Sequence, residues 1–355
     1  MRISVLTCSQ GNELYSTFGH TALHVVDSSK HTDIIYNYGT FDFDDPDFYV
    51  KFTRGKLDYF LSVETLPQFM YEYQVEKRNV IEQELLLPGS AKTAIANALI
   101  ENMMGANRYY KYDFLYNNCT SRIRDILQKY AGMTVPRLLV PPGTTFRNML
   151  HVYLDRGGKA WSKLGIDLLL GSPIDKKVTI GQSMFLPDYL MKGIDSAAPV
   201  KEGSFIRSRI LINTGSPSEP AGNYWPLVVF SAVSLFIILI SLVKNRPALL
   251  FIPVFDFLLF LITGLIGCLL VFMWFGTDHK ACAANYNLLW ALPTNLIAAF
   301  AVWKKPVWLQ KYFGFCTVLY ALLLITWFWL PQQLNTAFIP ITLLLLFRSA
   351  QLRKV

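Results

Sequence analysis

The sequence predicts an α+β globular domain followed by an all-α transmembrane bundle of about five helices. Three observations predict it. The chain has 355 residues, enough for two domains of ordinary size. Nearly all of its acidic groups lie before Tyr224, in a stretch where β-forming and helix-forming segments alternate. Beyond Tyr224 the chain turns into long apolar runs broken by short polar punctuation. The division is therefore 1–224 and 225–355.

Composition removes several classes of function. A net charge of +8 and a pI near 9.1 raise the question of nucleic acid. Several Lys and Arg sit in short loops beside apolar runs, where membrane topology calls for them, and no RNA- or DNA-binding motif is present. No nucleic-acid partner is expected. Of the five cysteines, Cys8 and Cys119 lie in the first domain, Cys268 and Cys316 in apolar runs, and Cys282 in a loop. None has C-x-x-C spacing, so neither zinc nor another metal is expected, and nothing calls for a cofactor. A Cys8–Cys119 disulfide would destroy a nucleophile, and a domain with few cysteines and nearby histidines reads rather as a thiol enzyme.

The chain opens without a signal peptide on Ile3-Ser4-Val5-Leu6-Thr7, a strand already under way, so a native leader or anchor is expected to have been trimmed or to be missing. Residues 19–26 form a strand, 27–30 a turn and 33–39 the returning strand. Period two puts His20, Ala22 and His24 on one face, and Ile35 with Asn37 on one face of the neighbour. The acidic cluster Asp42, Asp44, Asp45 and Asp47 lacks the glycine and terminal glutamate of a calcium loop and reads as solvated. Residues 66–86 combine a helical and a strand-like section. Ser90 caps an amphipathic helix that runs to Met104 and stops at Gly105.

The most informative segment is 112–127. Apolar residues at 123, 126 and 127 have helical spacing, and Asn117-Asn118-Cys119-Thr120-Ser121 is an N-terminal capping signal. Cys119 is thereby predicted at a helix N-terminus, where the dipole and free N–H groups favour a thiolate and can hold an oxyanion. With His20 as base, Cys119 becomes an activated nucleophile. A third polar group must orient the imidazole. Asn37 and His24 both compete for that place, while His31 and His151 read as structural. Asn118 is a further candidate for substrate contact.

The second domain contains apolar runs at about 227–243, 249–275, 287–303, 312–330 and 335–347. Positive loops alternate with nearly neutral ones: Lys244 and Arg246 after the first run, Lys304, Lys305 and Lys311 after the third, Arg348, Arg353 and Lys354 after the fifth. The positive-inside rule puts residues 1–224 outside the cytoplasm and the C-terminus inside it. Asp256, within an apolar run, is read either as a functional group or as an interfacial residue paired with water or Arg246. Asp278 and His279, followed by Asn285, Asn287 and Trp290, form a polar edge on the side of the first domain. That edge is either an interfacial loop with an aromatic anchor or an active-site floor that touches substrate.

The stretches 6–23, 37–43, 117–125, 164–175, 185–190 and 277–293 resemble the Lnb family of Bacteroidota membrane proteins, lipoprotein N-acyltransferases. His before Cys is also similar to the circularly permuted papain-like arrangement of lecithin–retinol acyltransferase. The resemblance implies a permuted papain-like thiol-enzyme domain in the periplasm, on an inner-membrane protein. It implies Cys119 as nucleophile, His20 as base and, on the strand after the His strand, Asn37 in preference to His24. A phospholipid would be the acyl donor and a diacylated lipoprotein the acceptor, both among membrane lipids. Two other functions compete: a membrane-tethered cysteine peptidase or amidase on cell-wall peptides, and a non-catalytic envelope assembly factor.

Overall fold

The computed structural model describes every residue except 43, 199–203, 214–221, 244 and 355, with 213, 248 and 249 described by backbone alone. Lys244, counted above among the positive loop residues, lies outside the described set. In chain order the elements are β1 (Arg2–Cys8), β2 (His20–Asp27), β3 (Thr32–Thr40), α1 (Phe48–Thr53), β4 (Asp58–Glu64), α2 (Leu66–Val75), β5 (Val80–Leu85), α3 (Gly89–Met103), β6 (Tyr109–Lys111) and α4 (Cys119–Ala131). Then follow α5 (Phe146–Arg156), α6 (Ala160–Leu169), α7 (Ile180–Ser183), α8 (Pro187–Ser196), β7 (Ile206–Asn213), α9 (Trp225–Leu242), α10 (Arg246–Phe275), α11 (Asn295–Ala301), α12 (Val307–Thr326) and α13 (Phe338–Leu352). The chain divides into two units, Met1–Gly157 with Lys177–Ala221, and Gly158–Lys176 with Gly222–Val355. Residues 158–176, which the sequence assigns to the first domain, thus belong with the helical unit.

The first unit is built on a seven-stranded antiparallel sheet in the order β6-β4-β3-β2-β1-β5-β7. Alternation along the strands gives it two buried faces. Val5, Leu23, Tyr36 and Leu61 point to one, into a core with residues of α3, α4 and α8. Leu6, Ala22, Ile35 and Val80 point to the other, against Phe69, Met70 and Tyr73 of α2. Because β1 and β3 end where β2 and β4 begin, Cys8, His20, Thr40 and Asp58 all lie at one end of the sheet. The strands and helices expected over 19–39, 66–86 and 90–104 are present, with one change of detail. Pro88 is the cap residue of α3, and Ser90 makes no cap. The proline ring holds φ at −63°, which sets the extended entry, and Lys92 N–H donates to the Pro88 carbonyl at 3.1 Å.

In the second unit, three helices among the described residues are long and apolar enough to cross a membrane: Trp225–Leu242, Leu250–Phe275 and Val307–Thr326. The helix Phe338–Leu352 is apolar but shorter. The run 287–303, expected as a span, is not one helix. A 3-10 turn at Tyr286–Leu289 and the seven-residue α11 replace it, separated by Pro293, which cannot donate to a helix ladder.

Asn285, Asn287 and Trp290 of the polar edge that precedes α11 are buried. Asn285 Nδ2 donates to the carbonyls of Leu168 and Leu169 at 2.8 and 3.1 Å, and Asn287 Nδ2 to that of Asp167 at 2.9 Å. Gln332 Nε2 reaches the Leu170 carbonyl at 3.0 Å, and Asn335 Nδ2 the Asp167 carboxylate at 2.8 Å. These amides satisfy the carbonyls left open at the C-terminus of α6, which explains why 158–176 joins this unit. Trp290, the aromatic anchor in one of the two readings of this edge, is 1% exposed, donates Nε1–H to Asn287 Oδ1 at 2.9 Å and stacks on Phe338. Among the described residues Asp256 does not pair with Arg246. It accepts two bonds of 2.7 Å from Arg348, linking α10 to α13.

Candidate active site

The site is assembled where α4 begins. Asn118 is extended (φ −110°, ψ −177°) and forms a capping box: its Oδ1 accepts from Ser121 N–H at 2.7 Å, while Ser121 Oγ accepts from Asn118 N–H at 2.8 Å. Its Nδ2 donates to the carbonyls of Phe114 and Phe185 at 2.7 and 2.9 Å. The Asn118 side chain is buried and every polar atom of its amide bonds within the fold, so it holds the helix start rather than facing a ligand. Cys119 is then the first helical residue, half-buried, with its thiol free.

Two glycines let the chain bring the partners in. Gly39 has φ +97°, a left-handed value costly for any other residue, and a Cβ placed there would sit 3.5 Å from the Cys119 Cβ. Gly19 has φ +75° and passes the Cys8 carbonyl so closely that a Cβ would lie 2.5 Å from it. His20 follows as the first residue of β2. The hydroxyls of Thr21 and Thr120 share a hydrogen bond of 3.0 Å, which ties the head of α4 to the same strand.

Asn37 lies on β3, and its Oδ1 is 2.5 Å from His20 Nε2. The amide orientation follows from its other end, where Nδ2 donates to the Glu64 carboxylate at 3.1 Å, a group that accepts only. Oδ1 therefore accepts from Nε2–H, and this tautomer leaves Nδ1 for the thiol. Burial alone would push the His20 imidazole toward neutrality. The negative charge of Cys119 and the hydrogen bonds that the ring donates to Cys119 and Asn37 outweigh it and raise its pKa. Burial would likewise keep Cys119 protonated, but the His20 charge, the hydrogen bond to His20, the Thr21 N–H and the Thr120 hydroxyl lower its pKa. The pair is thus stabilised as thiolate and imidazolium.

The alternatives read from sequence go elsewhere. His24 is buried between two carboxylates, with Nδ1 2.7 Å from Glu82 Oε1 and Nε2 2.7 Å from Asp33 Oδ1, so both ring nitrogens are occupied. Cys8 is fully buried and free, and desolvation pushes its thiol up to about 12, which makes it inert. His31 sits in a left-handed turn at φ 52° and His151 on α5. Asp278 and His279 belong to the second unit, in the segment after α10, with Asp278 exposed and His279 half-buried. Glu64, Thr21 and Thr120 were not read from the sequence. No local pattern marks Glu64, which reaches Asn37 only across the β3–β4 pair.

Two family models match the chain. That of the Lnb N-terminal periplasmic domain matches residues 1–151, and that of the Lnb transmembrane domain matches residues 218–355. No curated protein and no solved structure matches it. With both halves matched in order, by models of one family that together cover most of its length, the chain belongs to the Lnb family, membrane proteins with a periplasmic N-terminal domain.

Proposed function

We propose that this protein is a thiol-dependent apolipoprotein N-acyltransferase. The observation that carries the reading is the His20–Asn37 bond beside a Cys119 thiol of lowered pKa at the head of α4. In the first half-reaction Cys119 Sγ attacks an ester carbonyl of a phospholipid. The S–C bond forms, and the N–H groups of Cys119 and Thr120, which have no intrahelical partner, donate to the oxyanion. The C–O bond breaks, and His20 gives its proton to the departing lysophospholipid oxygen. In the second, the α-amine of a diacylglyceryl-cysteine lipoprotein attacks the thioester. A C–N bond forms as the C–S bond breaks, and His20 takes the amine proton. Asn37 holds the ring in one tautomer throughout, in the manner of a permuted papain-like enzyme. Neither step draws on a cofactor. The membrane unit supports the reading, because donor and acceptor are both anchored in lipid. The protein would lie in the inner membrane with its C-terminus in the cytoplasm.

The test is intact-mass spectrometry of the full chain incubated with phospholipid, with Cys119→Ser as control. The expected result is a hydroxylamine-sensitive gain of one acyl chain, absent from the variant. No gain with acceptor withheld would sink acyl transfer and leave the peptidase or amidase as the enzyme to assay.

A further inference from the structure

Two carboxylates of the acidic run that reads as a solvated loop, Asp42 and Asp45, line a cavity. Asp42, Lys51, Asp58, Phe60, Arg108 and Tyr109 form most of the wall of a space of about 390 Å³ in the first unit. The wall carries both signs of charge. Lys51 is matched by Asp45 at 2.7 Å, and Asp58 by Lys111 at 2.8 Å. Arg108 and Asp42 are not matched. Arg108 Nε donates to the Leu61 carbonyl at 3.0 Å and its guanidinium lies 4.8 Å from the centre of the Phe60 ring, yet its terminal amino groups make no hydrogen bond among the described residues. Asp42 accepts the Asp44 N–H at 2.9 Å and meets no cation among them. A cation pinned by a carbonyl and a ring, and a carboxylate, thus face one cavity without pairing with each other. That arrangement suits a ligand carrying both signs. The free fork of a guanidinium matches phosphate oxygens, and carboxylates accept from an ammonium.

The position adds a second argument. Phe60 pairs with Thr40 in the β3–β4 register, and the next residue back, Gly39, faces Cys119. The cavity and the thiol therefore stand at the same end of the same two strands. The helix that supplies Lys51 also exposes Tyr49, Val50 and Phe52, at 82%, 59% and 51%, an aromatic and apolar rim of the kind that rests at a lipid interface.

We infer that this cavity binds the headgroup of a zwitterionic phospholipid, with the phosphate on Arg108 and the ammonium on Asp42. The inference rests on the acyl-transfer reading for the purpose of the site, not for its occupancy. The test uses the full chain carrying Cys119→Ser in detergent. Native mass spectrometry measures retention of phosphatidylethanolamine against phosphatidylglycerol of identical acyl chains. The expected result is a preference of about tenfold for phosphatidylethanolamine, equivalent to ~1.4 kcal/mol. Asp42→Asn, a surface change, is expected to bring it close to unity, and Arg108→Gln to lower retention itself. Equal retention of the two lipids, or a preference that survives both substitutions, overturns the inference. The two readings separate cleanly. A lipid preference without any Cys119 thioester leaves the headgroup site standing and removes acyl transfer, and a thioester formed without preference does the reverse.

Discussion

The Cys119 thiol and the His20 imidazole are each driven toward the charged form in spite of burial, and each is the main reason for the other's shift. The signs define a pH window for thioester formation. The acid limb falls where the thiolate forms, below the ordinary thiol value of 9.0. The alkaline limb falls where the imidazolium is lost, above the ordinary imidazole value of 6.5. A rate profile from single-turnover acylation is expected to be bell-shaped between those limits. Because Asn37 helps raise His20, Asn37→Ala should draw the alkaline limb to lower pH and slow acylation by roughly ten- to a hundredfold, the usual cost of losing an orienting partner. An unchanged profile would remove Asn37 from its role. At this scale the sequence exposes a good deal. Cys119 announces itself through the cap beside it, and His20 and Asn37 through period two on neighbouring strands. Glu64 and Thr120 do not, since each acts through a partner brought in by tertiary pairing.

At the scale of elements, the start of α4 and the hold on β2 are the points most open to test. Asn118→Ala removes a cap whose side-chain amide makes three hydrogen bonds within the fold, and a cost of about 1–2 kcal/mol or above is expected, read as a lower unfolding midpoint together with slower acylation. His24 joins β2 to Asp33 on β3 and Glu82 on β5. Burial would lower its pKa, but the two carboxylates raise it. A raised folded-state value means that its stabilisation is complete below the unfolded value of 6.5 and is lost as pH rises through the folded one. Glu82 runs the other way: burial raises it, His24 and Ser4 lower it, and its contribution is lost as pH falls through that lowered value. Thermal scans between pH 6 and 9 should therefore show the parent losing more stability than His24→Gln. Parallel curves would rule out this coupling.

At the scale of the whole molecule, the helical unit contains the largest departure from a reading by length. Arg348 enters the positive-inside tally as a loop charge, yet it is 5% exposed and bonded to Asp256 within the helices. Removing one member of such a pair strands the other, at a cost of about 3–5 kcal/mol. Asp256→Ala should accordingly lower the unfolding midpoint in detergent, and exchanging the two residues should recover part of the loss. Arg353 and Lys354 remain to mark the C-terminal side, and a reporter fused after Val355 should be active in the cytoplasm. A periplasmic signal there would overturn the orientation.

The sequence by itself determined the division into a mixed domain and an apolar helical one, the two paired strands, the helix that begins at Cys119 and the chemistry of the thiol. All of these are local: alternation, capping and apolar length are written within a dozen or so residues. Tertiary structure alone decided the rest. It set Asn37 against the His20 ring and gave both nitrogens of His24 to carboxylates, pairings for which the strands' alternation left both residues open. It moved 158–176 to the helical unit, because the amides of Asn285, Asn287 and Gln332 that satisfy α6 lie more than a hundred residues away. It divided 287–303 at Pro293 and set two carboxylates of the largely solvent-exposed acidic run after β3, Asp42 and Asp45, against a cavity. A buried polar group must find a partner wherever the fold places one, and linear pattern does not carry that address.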